Sequence, residues 1–413
     1  MILLALACRP SPGPGVVVVI ADDLGVDALA AYEDVWAGEE RTYAETPTID
    51  EICAEGVRFE QAWSYPTCSP SRAAMLTGRH GYRTGIDGPI SAARSDEVGL
   101  SDDQPFLPAM LAMKGVRSGL FGKWHLGTAG GADAPRTAGF ERFAGTLYGE
   151  LASFDDWNRT VDGVTEREDR YATSVHVDDA LDWIGEMEEG EPWLAWLSFT
   201  APHEPFHVPP WRLTSEDLEG HVCEDDPDPC FRGAVEALDE ELGRFLTKLD
   251  RWDVKADVVF VGDNGSPHRA GAASPGRGKG SLYQGGLHVP LCVRGDGIEA
   301  DSTSRLAHVL DVHTTVLERL GVEPPEGSDS VSLLDGERTT AFVETWGLER
   351  EWLEGRAVRD AQWKLIDMGE ELELYDLYAD PFEAYNLYGK QEGEGVQAAL
   401  EAELERGERG SDR

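Results

Sequence analysis

Two short acidic motifs stand far apart in this chain yet share a setting. Asp22-Asp23 follows the apolar run Val16-Val-Val-Val-Ile20, and Asp263-Asn264 follows Asp257-Val-Val-Phe-Val261. Side chains just past the ends of buried strands can converge on one rim of a sheet. Four carboxylate or amide oxygens there suit a hard cation such as Ca²⁺ or Mg²⁺. Asp and Asn before Gly also serve as helix caps and turn residues, and one pair alone favours that use. The same pattern at two strand ends favours a metal seat.

Two further loops reach the same rim. Gly122-Lys123-Trp124-His125-Leu126-Gly127 follows the run Ser118-Gly-Leu-Phe121, and Ala201-Pro202-His203-Glu204-Pro205-Phe206-His207 follows Trp193-Leu-Ala-Trp-Leu-Ser-Phe199. A cation and an imidazole beside a divalent metal make a seat for an anionic ester. The Lys neutralises oxygen charge and a His can protonate the leaving oxygen. A lone loop histidine commonly just packs or faces solvent; Lys123, His125 and His203 on converging loops argue against that. Gly278-Lys279-Gly280 adds another cation after the Asp263 loop. Cys68 opens a helical pattern in Cys68-Ser-Pro70-Ser-Arg72-Ala-Ala-Met-Leu-Thr77-Gly78, where free N–H groups and the helix dipole favour an anion. A small buried residue is the plainer role for such a cysteine.

The elements that must position these groups alternate in kind. Apolar runs at residues 16–20, 118–121, 193–199, 257–261 and 289–293 read as strands, and helical patterns cover 48–55, 70–76, 105–114, 173–187, 231–249 and 307–320. The alternation predicts an α/β fold, a large mixed and mostly parallel sheet sandwiched by helices, with ligands at the carboxyl ends of its strands. Past Leu334 the runs at 340–345, 356–359, 363–366 and 373–375 are short and alternating, as in a small antiparallel sheet. The expected division is a leader-like segment and linker at 1–15, a catalytic domain at 16–335, a small-sheet subdomain at 336–390 and a charged tail at 391–413. Trp157, Glu204, His207, Trp346 and Trp352 stand in or near predicted loops, where they either line a sugar or aryl site or merely pack.

With 78 acidic against 36 basic residues, the 413-residue chain has a formal charge of −42. That charge repels nucleic acid and anionic membranes, so no nucleic-acid partner is expected. It also means that a site for an anionic ester must hold its cations in a pocket. The start, Met1-Ile-Leu-Leu-Ala-Leu-Ala-Cys8, resembles a bacterial lipoprotein signal but lacks a basic leading region. The expectation is export to the periplasm or cell surface, with lipid on Cys8 as the sole link to a membrane. A cytoplasmic chain with an accidental apolar start is the alternative. Of the other cysteines, Cys223 and Cys230 bracket a short acidic loop and form a plausible local disulfide in an oxidising compartment, while Cys53 and Cys292 read as small core residues.

Taken in order, Ala21-Asp22-Asp23-Leu24-Gly25, the Cys68 segment through Thr77-Gly78-Arg79-His80, Gly122-Lys123-Trp124-His125, Ala201-Pro202-His203, Gly262-Asp263-Asn264-Gly265, Lys279 and Gly285-Gly286 resemble the motifs of a formylglycine-dependent sulfatase of the alkaline phosphatase superfamily. The resemblance implies an alkaline phosphatase-like fold and a sulfuric ester hydrolase acting on a small-molecule or glycan sulfate. It implies that Asp22, Asp23, Asp263 and Asn264 hold a divalent metal, usually Ca²⁺ with Mg²⁺ as the alternative, together with a formylglycine made from Cys68 by a formylglycine-generating enzyme. Arg72 would steady the aldehyde, and Lys123 would hold a sulfonyl oxygen. His203 and Lys279 would assist the leaving oxygen, and His125 would take a proton from the second hydroxyl of the hydrated aldehyde. A phosphonate monoester or phosphodiester hydrolase with the same aldehyde is one alternative, and a binding protein with unconverted Cys68 is another. Three positions depart from the pattern: Gln284 replaces a common glutamate, His288 a common arginine and His313 a common proline.

Overall fold

The computed structural model describes residues 13–36, 42–101, 103–271, 276–346, 354–369 and 371–409. Its strands, in chain order, are β1 (Gly15–Ala21), β2 (Val57–Trp63), β3 (Arg117–Lys123), β4 (Arg142–Thr146), β5 (Trp157–Val161), β6 (Val164–Glu168), β7 (Trp193–Ser198), β8 (Ala256–Gly262), β9 (Leu291–Arg294), β10 (Asp301–His308), β11 (Ala341–Thr345), β12 (Gly355–Arg359), β13 (Trp363–Asp367) and β14 (Leu372–Asp376). The α-helices are α1 (Pro47–Glu55), α2 (Cys68–Thr77), α3 (Gly81–Thr84), α4 (Leu107–Ala112), α5 (Ala134–Thr137), α6 (Ala172–Ile184), α7 (Pro227–Arg251), α8 (Gln284–Leu287), α9 (Asp311–Arg319) and α10 (Glu394–Arg409).

Ten strands form one sheet in the order β10-β2-β9-β8-β1-β7-β3-β4-β5-β6. Pairing is parallel from β8 through β1, β7 and β3 to β4, and between β10 and β2; β9, β5 and β6 run antiparallel to their neighbours. The all-apolar run in β1 is explained by burial on both faces. Val17 and Val19 join a core with Ile49 and Ile52 of α1, Val175 of α6 and Leu238 of α7. Val16, Val18 and Ile20 face the opposite layer, with Met75 of α2, Leu111 of α4 and Val316 of α9. At about 2 kcal/mol for each fully buried Val or Ile side chain, this strand anchors the centre of the sheet.

The short alternating runs form the antiparallel sheet β11-β12-β13-β14. Ala341, Val343, Ala357 and Ile366 pack against Trp63, Ala74 and Leu310 of the main domain. Val358, Leu365 and Leu374 on the other face are covered by Leu400 and Leu404 of α10. No described helix is long and apolar enough to cross a membrane.

Three sequence expectations change. The pattern read as one helix over 307–320 is the end of β10 followed by α9, because residues 301–308 pair in parallel with β2, and the Asp311 carboxylate accepts the His308 N–H at 2.9 Å. Cys53 and Cys292 are not independent core residues: they form a disulfide joining α1 to β9 across 239 residues. Trp157 lies in β5, buried, with its indole N–H donating to the Arg170 carbonyl, so it lines no open site. The Cys223–Cys230 disulfide is present as expected. Trp346 is exposed, and Trp352 lies outside the described residues, as does Cys8.

Candidate active site

Asp22 and Asp23 directly follow β1, Lys123 ends β3, His203 lies in the loop after β7, and Asp263 and Asn264 follow β8. These four parallel strands are neighbours in the sheet, so their carboxyl ends open on one rim. Cys68 is the first residue of α2. Its Sγ lies 3.3 Å from Asp22 Oδ1 and 3.8 Å from Asp23 Oδ1. The sequence-predicted groups thus meet at one point, although they come from five segments.

Two positions on the rim adopt left-handed backbone without being glycine: Asp23 at φ 67° and His125 at φ 54°. Such conformations cost on the order of 1–3 kcal/mol and persist only where neighbours enforce them. The Asp23 N–H donates to Asp263 Oδ1 at 3.0 Å, and the His125 N–H donates to the Leu147 carbonyl at 3.2 Å. Gly122, at φ 113°, has no alternative residue, because a Cβ there would sit 1.8 Å from the Ser198 carbonyl oxygen.

Charge is balanced at close quarters. Lys123 Nζ lies 2.5 Å from Asp22 Oδ2, and Lys279 Nζ lies 2.7 Å from Asp23 Oδ1. Arg72 is buried and pairs with Asp263 Oδ2 at 2.7 Å through Nη2, while its Nη1 donates to Ser198 Oγ at 2.5 Å and to the Lys123 carbonyl at 3.1 Å. Burial opposes ionisation of Asp23, but Lys279, His203 and Lys123 outweigh it and hold the carboxyl below the usual range. Burial and the neighbouring Asp22 push Asp263 up to about 6 despite Arg72. The Cys68 thiol is pushed up by burial, which outweighs Lys123 and Lys279, so as a thiol it stays neutral.

The two histidines differ in orientation. His203 places Nε2 at 3.7 Å from Asp23 Oδ2 and Nδ1 at 2.7 Å from the Glu204 carbonyl. Burial and Lys279 lower it to about 3. His125 Nε2 donates to the Ile90 carbonyl at 2.9 Å, which leaves Nδ1 as the acceptor. Among the described residues that Nδ1 is buried and without a partner. Burial and Lys123 keep the ring neutral.

The donor set fits a divalent cation. One oxygen or sulfur each from Asp22, Asp23 and Cys68 and one ring nitrogen of His203 all lie within 4.8 Å of one another. Asn264 Oδ1 is buried without a partner among the described residues, while its Nδ2 donates to Asp23 Oδ1 at 2.8 Å. An orphaned amide oxygen beside buried carboxylates is what a hard cation would satisfy. Asp22, Asp23, Asp263 and Asn264 would hold it.

Sequence reasoning missed Ser198, Gly149 and the Ile90 carbonyl. Ser198 links Arg72 to the Lys123 backbone, its own hydroxyl donating to that carbonyl at 2.8 Å. Gly149 packs on the His125 ring, where a Cβ would sit 2.5 Å from Cε1 and Nε2. No motif marks either residue; both are defined by what touches them. The three departures are structural. Gln284 accepts the Trp63 indole N–H at 2.8 Å, and His288 and His313 bond the Glu60 and Pro105 carbonyls at 2.8 and 3.2 Å. His207, predicted near the site, stacks on Phe154 with ring centres 3.8 Å apart.

Residues 14–322 match the sulfatase family model, and residues 278–409 match the model for the C-terminal part of N-sulphoglucosamine sulphohydrolase. The chain belongs to the sulfatase family. N-acetylgalactosamine-6-sulfatase of Homo sapiens is 29% identical over 362 residues, covering 79% of this chain and 66% of that protein. Steryl-sulfatase of Rattus norvegicus is 27% identical over 420 residues, covering 80% and 72%. The crystal structure of Ps i-CgsB in complex with k-i-k-neocarrahexaose superposes with a TM-score of 0.79 at 22% identity, over 98% of this chain and 93% of that one. The chain spans about two thirds of the length of the N-acetylgalactosamine-6-sulfatases it matches.

Proposed function

We propose that this protein hydrolyses sulfate monoesters, with carbohydrate sulfates as the substrate class, through a formylglycine made from Cys68 and a divalent cation, Ca²⁺ or Mg²⁺. The observation that carries the reading is the placement of Cys68 at the start of α2, 3.3 Å from Asp22, inside a ring formed by Lys123, Lys279 and His203. The name of the N-acetylgalactosamine-6-sulfatase relative and the oligosaccharide-bound structure support a sugar ester, while the steryl-sulfatase relative points to the wider class of sulfate esters.

The hydrated aldehyde would supply the nucleophilic hydroxyl and, in its second hydroxyl, a means for sulfate to leave by elimination, and the cation would supply positive charge that stabilises oxyanions. This chain's own residues do the rest. Lys123 and Lys279, both anchored on carboxylates, face the sulfonyl and leaving oxygens and offset their charge. His203, neutral in the free protein, sits beside the seat of an anionic group, which raises its proton affinity and suits it to protonate the leaving oxygen. His125 accepts a proton at Nδ1, the nitrogen that Ile90 leaves bare. Arg72 holds the Asp263 carboxylate in place from beneath.

A hydrolysis panel tests the reading: aryl sulfates, sulfated sugars, choline sulfate, phosphonate monoesters and phosphodiesters. Sulfate esters are expected to turn over fastest. Turnover confined to the phosphorus esters would assign the other enzymatic reading, and none at all would leave only a binding protein. We also propose that the protein is exported, with a lipid on Cys8 as its membrane link. Two disulfides support an oxidising compartment, and fractionation with lipid labelling of a Cys8→Ser variant tests the anchor.

A further inference from the structure

The loops after β4 and β7 bring more to the rim than His203. Gly149 packs directly on the His125 ring, and Tyr148 and Glu150 are its immediate neighbours in the chain. Tyr148 is 41% exposed, and Glu150 is exposed as well. In the loop after β7, half-buried Glu204 follows His203 directly. Among the described residues, neither glutamate side chain nor the Tyr148 hydroxyl has a hydrogen-bond or ion-pair partner. The surrounding chain is strongly acidic. Segment 147–156 holds three Asp or Glu and segment 199–226 holds seven, against one Arg between them. The cations of the next loop are occupied: Arg269 bonds the Glu224 carbonyl at 2.8 Å, Arg277 bonds the Phe382 carbonyl at 3.0 Å, and Lys279 is inside the seat.

Such a rim suits hydroxyl groups and repels further anions. An exposed phenol ring offers a flat apolar face with a polar edge, and unpaired carboxylates accept strong hydrogen bonds from hydroxyls. A second sulfate or a uronate near Glu150 or Glu204 meets like charge within the roughly 8 Å over which charges interact at physiological ionic strength. We propose that the site takes a singly sulfated, otherwise uncharged sugar, with Tyr148 as the platform for the ring and Glu150 and Glu204 as acceptors for its hydroxyls, and that it discriminates against multiply sulfated or carboxylated chains. This rests on the reading of the pocket as a sulfate-ester seat. It narrows that reading to a substrate charge class.

The test is a binding titration that needs no turnover. Calcium-loaded Cys68→Ala protein is titrated with a hexose 6-sulfate and with the same hexose carrying a second sulfate, at low and high salt. The singly sulfated sugar is expected to bind about fivefold tighter at low salt, the effect of one solvent-exposed like-charge contact. The gap should shrink below about twofold near 1 M salt, where the Debye length falls to about 3 Å. Glu150→Gln with Glu204→Gln should narrow the low-salt gap, and Tyr148→Ala should weaken the singly sulfated sugar severalfold. Equal or tighter binding of the disulfate at low salt overturns the proposal, as does no binding of either sugar. Parallel assay of the converted enzyme separates the two readings: absent turnover with the ranking intact defeats the function proposed above and leaves this inference standing. Turnover with the disulfate preferred does the reverse.

Discussion

Asp22, Asp23 and Asp263 crowd three carboxylates into a pocket where Arg72, Lys123 and Lys279 offset them. Removing one member therefore has separable consequences. Cys68→Ala should keep the fold and the cation but abolish turnover, whereas Asp263→Ala should weaken the cation as well, by tenfold or more in a Ca²⁺ titration. Equal activity in Cys68→Ala would refute the mechanism. Gly149→Ala puts a methyl group where the His125 ring now lies. It should lower kcat at least tenfold while the unfolding midpoint moves little; unchanged kcat would show that the ring has room to shift. Most of the site was readable in the sequence, because Asp22, Cys68, Lys123, His203, Asp263 and Lys279 sit in short motifs at strand ends. Ser198 and Gly149 were not, since their roles arise from contacts between segments.

At the scale of elements, strands with long apolar runs such as β1 and β8 were legible, and partly exposed ones were not. β2 reads Val-Arg-Phe-Glu-Gln-Ala-Trp with half-buried polar positions, and only its pairing with β10 and β9 makes it a strand. The β5–β6 hairpin had a usable signal in Asp162-Gly163, both at positive φ as a two-residue turn requires. The Cys53–Cys292 bond had none, because nothing in the sequence places α1 beside β9. Replacing both cysteines with alanine should cost about 3–5 kcal/mol in denaturant unfolding, given the 239-residue separation. An unchanged midpoint would contradict that. Where β11 docks on α3, buried Glu344 accepts the Tyr82 N–H at 2.8 Å. Burial, with Asp87 and Asp329, pushes its carboxyl up to about 8 against that bond. The folded protein keeps this proton while the unfolded chain loses it above about 4.5, so stability is present below that pH and falls as pH rises through 8. Glu344→Gln should flatten the decline and stabilise the protein at pH 8 by about 2 kcal/mol or more. Parallel pH–stability curves for the two proteins would count against it.

For the whole molecule, the charge of −42 acts against compactness and against the approach of the anionic ester proposed as substrate. Added salt should raise the melting temperature by screening that repulsion; a midpoint that is flat or falls between low salt and 1 M would mean that the acidic groups are already compensated. The cations of the site are paired with carboxylates inside the pocket, so the proposed anionic ester would be captured at short range. Architecture at this scale was legible from the change in pattern near Leu334, since helix-separated apolar runs give way to short alternating ones. The docking of the small sheet on Trp63 and Leu310 was not, because that interface is made by residues that look like ordinary core.

The central claim is that residue 68 works as an aldehyde. Mass spectrometry of the peptide containing Cys68, from protein made in a host with a formylglycine-generating enzyme, decides it when paired with turnover of a sulfate ester by the same preparation. The account predicts an aldehyde at position 68, with activity proportional to the converted fraction. An intact thiol in a preparation that turns over sulfate at full rate would contradict it.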